Sequence, residues 1–241
     1  MKAKNRQREN LSITWFGHSA FLLKAPGGKS VLIDPWLDNP KAPTGAKEIT
    51  PVDLILLTHG HSDHVGNTIE VARRTKATVI AIHEISLYLQ EHGAPTVRGM
   101  NKGGTIRIDG LKVTMVDAKH SSDIDAGGTV IPGGEPAGFV IEFENGFRVY
   151  HAGDTSLFGD MKLIAELYKP QFVFLPIGGL YTMDPREAAY ACRMLKPAHI
   201  AGMHYGTFPV LAGTPTELRN NLPAAMKKHV MEFVPGEAAT V

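Results

Sequence analysis

Short apolar runs broken by turn residues open the chain. Residues 13–16, 20–24 and 30–34 are strand-length and rich in Ile, Phe, Leu and Val, separated by Gly17-His18-Ser19 and Pro26-Gly27-Gly28. The pattern predicts three short strands, the last two joined by a hairpin. Residues 52–58 are almost continuously apolar, as in a strand buried on both faces. A helix is then predicted over 67–75, a strand over 78–81 and a helix over 84–92. Strands return over 105–108, 112–117, 138–144 and 147–151, with Asn145-Gly146 as a two-residue hairpin turn. The last third alternates: strand 172–176, helix 185–195, strand 199–203, a helix over 215–229 broken near Pro223, and strand 230–234. Asp184-Pro185 is a helix start, with Asp as cap and Pro at the first position. The sum is an α+β fold of two mixed sheets with helices on their outer faces.

No repeat, low-complexity linker or composition break divides the chain, so residues 11–241 read as one domain. Residues 1–10 hold the one basic cluster, Lys2-Ala3-Lys4-Asn5-Arg6-Gln7-Arg8, which reads as a flexible solvated end. It lacks the apolar core of a signal peptide or anchor, and no apolar run approaches a membrane span. With 25 basic and 24 acidic residues the net charge is +1, so the broad basic footprint of a nucleic-acid binder is missing. The expected partner is a small-molecule substrate, with neither nucleic acid nor membrane; a homo-oligomer is left open. A single cysteine, Cys192, forms no internal disulfide and reads as a packing residue, which fits a cytoplasmic protein.

Histidine changes the picture. His59, His61, Asp63 and His64 fall within Thr58–Gly66, with only Gly60 and Ser62 between them. Imidazole and carboxylate are the ligands that borderline and hard divalent cations prefer. In an extended segment His59 and His61 project to one side, while Asp63 and His64 lie where the chain turns into a helix. One segment therefore serves two neighbouring cations. Further loops at strand ends carry His120, then Asp154 in His151-Ala152-Gly153-Asp154-Thr155, then His204 in His204-Tyr205-Gly206. Alone, His120 or His204 would read as structural and Asp154 as a turn or cap residue.

In this order the set resembles the metallo-β-lactamase superfamily over nearly the whole chain. Trp15-Phe16-Gly17-His18-Ser19, Tyr150–Thr155, Gly178-Gly179-Leu180-Tyr181-Thr182-Met183 and Met203–Pro209 look like its metal-dependent hydrolase branch. That branch is similar to ascorbate-6-phosphate lactonases and, more remotely, to phospholipases D acting on N-acyl phosphatidylethanolamines. The resemblance implies a four-layer αβ/βα sandwich and a dinuclear centre. His59, His61 and His120 would hold the first ion, Asp63, His64 and His204 the second, and Asp154 would bridge them. Two divalent ions are implied, Zn2+ above all, with Mn2+ or Fe2+ as alternatives at the second, harder site. A hydroxide between them would be the nucleophile, because metal ions lower the pKa of bound water to about 7.

The candidate catalytic residues are Asp63, which doubles as a ligand, His18, His151 and Tyr181. His18 and His151 would face the pocket or orient a ligand, and Tyr181 would stabilise an oxyanion. The glycine-rich stretch 121–134 lacks phosphate-loop spacing and reads as a mobile pocket wall offering Ile124, Val130 and Ile131. The expected activity is hydrolysis of an ester, lactone or phosphoester in a small substrate. The alternatives are a nuclease of the same fold, against which the charge balance stands, and an iron-dependent redox enzyme of the sulfur dioxygenase kind.

Overall fold

Two seven-stranded sheets account for all but one pair of the strands in the computed structural model, which describes residues 11–241. The expected flexible end, residues 1–10, lies outside the described residues. The first sheet begins as an antiparallel meander of β1 (Ser12–Trp15), β2 (Phe21–Lys24) and β3 (Ser30–Ile33). It continues in parallel through β4 (Leu54–Leu56); after α1 (Ser62–Val65) and α2 (Thr68–Thr75) come β5 (Thr78–Ile82), α3 (His83–Glu91) and β6 (Val97–Met100).

The second sheet repeats this plan. β7 (Thr105–Ile108) and β8 (Leu111–Asp117) form a hairpin, and two-residue strands β9 (Ile124–Asp125) and β10 (Val130–Ile131) pair with each other alone. β11 (Ala137–Glu142) and β12 (Arg148–His151) complete the antiparallel half around the Asn145-Gly146 turn. The parallel half follows: α4 (Met161–Tyr168), β13 (Phe172–Pro176), α5 (Pro185–Leu195) and β14 (His199–Met203). It ends with α6 (Pro215–Asn221), α7 (Ala224–Lys227) and β15 (Val230–Met231), before β16 (Ala238–Thr240) crosses back to pair with β1.

The apolar runs explain the layering. β13 is buried along its whole length, as a central parallel strand covered on both faces must be. Phe21 of the first sheet meets Phe174 of the second at 4.3 Å between ring centroids, inside one contiguous core. The Asp184 cap of α5 is realised: its carboxylate accepts from the Glu187 amide while the Glu187 side chain accepts from the Asp184 amide. Cys192 is buried in that helix, its thiol pushed up to about 12 by burial.

Strands β3, β4, β8, β12 and β14 end in the loops that bear the histidines and acids. Convergence of loops at strand C-termini is where layered α/β folds build sites. No helix among the described residues is long and apolar enough to cross a membrane.

The glycine-rich wall differs from expectation. Ile124 is buried, anchored by the β9–β10 pairing, and Val130 is 67% exposed. A side chain on Gly60 would collide with the Ser122 carbonyl and Ile124, so this segment is clamped against the histidine cluster.

Candidate metal centre

β4 ends at Leu56, and the chain passes through a bend at Gly60 before His61, itself extended, takes the N-cap position of α1. The His59 and His61 rings converge on one point, with His59 Nε2 and His61 Nδ1 3.0 Å apart. Asp63 and His64 ride on the first turn of α1, which aims them to a neighbouring point. His120, from the loop after β8, presents its ring 5.2 Å from His59 and 5.0 Å from His61. Asp154 follows β12 and His204 follows β14, with φ +56 at His204 turning the chain back.

One oxygen organises the arrangement. Asp154 Oδ2 lies 2.8 Å from His204 Nε2, 3.3 Å from His64 Nε2, 3.8 Å from His120 Nε2 and 4.0 Å from His59 Nε2. The ligating atoms fall into three sets, each within 4.8 Å: His59, His61, His120; His18, Asp63, His64, His204; and His59, His64, Asp154. The first two are adjacent, and Asp154 stands at their junction.

The donors fit divalent cations on an observation beyond type. Asp154 Oδ1 and His64 Nε2 are buried with no hydrogen-bond partner, although buried polar atoms are almost always satisfied. Burial pushes His59, His61 and His120 below the usual histidine range, which keeps them neutral and competent as ligands. Burial alone would raise Asp154, but the charges of His204 and His64 beside it hold it well below the carboxylate range.

Asp34, absent from the residues expected on sequence, braces this centre. It is fully buried after β3 in the left-handed region, φ +46. Its Oδ1 accepts from the Thr58 amide at 2.9 Å; its Oδ2 accepts from the Thr58 hydroxyl at 2.7 Å and from His64 Nδ1 at 2.8 Å. The Thr58 oxygen in turn sits 2.9 Å from His59 Nδ1. The signal was a lone carboxylate ending an apolar strand, Leu32-Ile33-Asp34-Pro35.

A Beta-lactamase superfamily domain matches residues 29–205, the span from β3 through the last of these ligands. The chain belongs to the metallo-β-lactamase superfamily. It is 52% identical over 230 residues to a UPF0173 metal-dependent hydrolase of Rubrobacter xylanophilus, covering 93% of this chain and 94% of that one. Over 229 residues it is 48% identical to its namesake in Methanosarcina barkeri, covering 95% and 97%. Among solved structures it resembles Igni18, a metallo hydrolase from Ignicoccus hospitalis, at 38% identity and TM-score 0.87, covering 96% and 98%. The four-layer sandwich expected from the sequence is the fold of this superfamily, and the chain is an enzyme of its metal-dependent hydrolase group.

The three remaining candidates of this superfamily member separate. His18 joins the second ligand set: its Nε2 lies 3.0 Å from Asp63 Oδ2 and its Nδ1 2.9 Å from Thr207 Oγ1, with no exposure to solvent. Burial pushes it down to about 4 against the opposing pull of Asp63. Asp63 is driven up by burial and brought below the carboxylate range by the His18 hydrogen bond and the neighbouring histidine charges. Tyr181 stands at a loop tip, 61% exposed, and its hydroxyl has no hydrogen-bond partner among the described residues.

His151 does not face the pocket. As the last residue of β12 it points into the core beside Phe21 and Phe174, its Nε2 3.3 Å from the Ser19 carbonyl. Its Nδ1 accepts from the Gly153 amide at 3.2 Å, so it ties the Asp154 loop to the turn bearing His18. Strand alternation explains the reversal, because a residue three before Asp154 need not share its side. Burial pushes His151 down to about 4. The unfolded chain therefore binds this proton first: the stability is present above about 6.5 and is lost as pH falls toward the folded value, by up to about 3 kcal/mol. Urea unfolding in chelator at pH 6.5 and 4 is expected to show this loss. His151→Gln, which keeps a donor for Ser19 and an acceptor for Gly153, should lose correspondingly less.

Proposed function

We propose that this hydrolase holds two divalent cations and cleaves an ester, lactone or phosphoester bond in a small substrate. The observation that supports this most directly is the sharing of Asp154 Oδ2 between two adjacent ligand sets, one of three imidazoles and one richer in carboxylate. His59, His61 and His120 suit zinc; Asp63, His64 and His204 form the harder site, open to manganese or iron. When bound, such ions supply hydroxide near neutral pH and polarise the oxygen of the scissile bond.

The chain's own groups do the rest. Asp34 holds His64 in place directly and His59 through Thr58. His18, fully buried and anchored by Thr207, orients Asp63. Ser121 Oγ, 3.2 Å from His61 Nε2, does the same for His61 at the cleft mouth. Protein stripped with chelator and reloaded with zinc or manganese should hydrolyse at least one class among phosphodiesters, lactones and thioesters. His61→Ala should abolish that turnover and keep its far-UV dichroism. One iron per chain with sulfur-dependent oxygen uptake, and no hydrolysis, would overturn the reading.

A further inference from the structure

The two flanks of the metal centre differ in chemistry. Beside His120 a cleft of about 500 Å³ is lined by Lys102, Lys119, Ser121, Asp123 and Glu135 among others. Its cations are already matched, Lys102 with Asp117 and Glu135, and Lys119 with Asp117. Beside His18 the surface is aromatic. Trp36 meets the His18 ring edge-on at 5.1 Å, Phe208 meets it at 6.2 Å, and Trp36 and Phe208 stack on each other at 5.7 Å.

Both aromatic residues sit on braced backbone. The Asn67 amide donates to the Pro35 carbonyl and the Asn67 side chain accepts from the Leu37 amide, each at 2.8 Å, so the segment bearing Trp36 is pinned on both sides. Gly66, at φ +36, has no side chain because one would strike the Trp36 backbone. Phe208 follows Thr207, which is bonded to His18, and its carbonyl accepts from the buried Leu211 amide. Yet Phe208 is 40% exposed and Trp36 is half-buried.

Leu180, Tyr181, Phe208 and Val210 are four of the ten large apolar side chains exposed among the described residues. All four lie on the loops after β13 and β14. Those loops are joined, the Gly213 amide donating to the Gly178 carbonyl, and a side chain on Gly178 would collide with the His204 carbonyl. Phe208 carries this surface to the His18 ring, and fixed, exposed apolar surface beside a candidate site marks a ligand contact more often than a scattered surface residue does.

We propose that Trp36 and Phe208 wall an apolar subsite, so that the substrate carries an alkyl or aryl group on the His18 side of the centre, with its polar remainder toward the His120 cleft. This rests on the hydrolase reading above and names the substrate class within it. A uniformly charged substrate would gain nothing from the aromatic pair and would find its polar partners on the other flank.

The test uses full-length, zinc-loaded protein and straight-chain carboxylates from acetate to octanoate, titrated by calorimetry, with metal content measured for each protein. Affinity is expected to rise about three- to fourfold per added methylene, the gain for burying a CH₂ group. Phe208→Ala should flatten that slope at unchanged metal content, and Phe208→Leu should keep most of it; Phe208 is exposed enough that neither threatens the fold. Trp36→Ala, if folded, should flatten it too. Affinity independent of chain length, a slope retained in Phe208→Ala, or no binding by any member overturns the proposal. Failure of the hydrolase reading is a separate result: chain-length-dependent binding with no turnover of any ester, lactone, thioester or phosphodiester.

Discussion

Asp154→Ala is expected to lower hydrolysis by roughly a thousandfold or more, because a bound metal contributes several kcal/mol of charge stabilisation. The fold should survive. The two ligand sets lie side by side, and two divalent ions so placed repel one another. Among the described residues Asp154 is the one acid with an oxygen within 4.0 Å of imidazoles from both sets. Without it the first set keeps three neutral rings and the second keeps Asp63, His64 and His204, but nothing screens one ion from the other. Asp154→Asn should lose nearly as much, since the amide preserves shape and removes the charge. Elemental analysis should find fewer than two metal equivalents per chain in both variants, with unchanged far-UV dichroism. Two equivalents and wild-type turnover in either variant would place the shared ligand elsewhere.

Legibility in the sequence followed the range of the interactions involved. The strands Thr105–Ile108, Phe172–Pro176 and His199–Met203 and the helix Pro185–Leu195 end where their own apolar runs and caps end, so local pattern located them. β16 is only Ala238-Ala239-Thr240, and it exists because β1, at the other end of the chain, offers an open edge. α4 went unpredicted although Met161, Ile164, Ala165 and Tyr168 repeat at helical spacing and pack inward. The same division runs through the site. The 59–64 cluster announces itself because six consecutive positions hold three imidazoles and a carboxylate. Asp34 was silent because its partners, Thr58 and His64, come 24 and 30 residues later. His151 misled for the complementary reason: its nearness to Asp154 in sequence says nothing about which side of β12 it takes. The aromatic flank was hidden too, since Trp36 and Phe208 meet only after the two sheets close.

Asp34→Asn should separate the bracing of the centre from the stability of the fold. A carboxylate only accepts, so His64 must carry its proton on Nδ1 and the Thr58 hydroxyl must donate, leaving its lone pair for His59 Nδ1–H. One buried acid thereby sets the tautomer of two rings, one in each ligand set, and turns both Nε2 atoms toward Asp154. The flanking charges of Asp154 and Asp34 outweigh burial and raise His64 well above the usual range, so a cation entering there displaces a proton from Nε2. An amide at position 34 would still accept from the Thr58 amide through its oxygen, but its NH₂ would face His64 and donate to Nδ1. The remaining proton then moves to Nε2, where the second ion should bind. Loss of metal affinity should reach at least the 10- to 100-fold typical of a removed supporting carboxylate, with the melting temperature little changed. Asp34→Ala differs in kind: it orphans the Thr58 amide, the Thr58 hydroxyl and His64 in the core, at a cost of roughly 3–5 kcal/mol, or about 10 °C in Tm. Nitrogen chemical shifts of His64 in the two variants, read beside metal content, decide the matter. If Asp34→Asn keeps Nδ1–H on His64 and two metals per chain, the carboxylate serves only to hold Thr58.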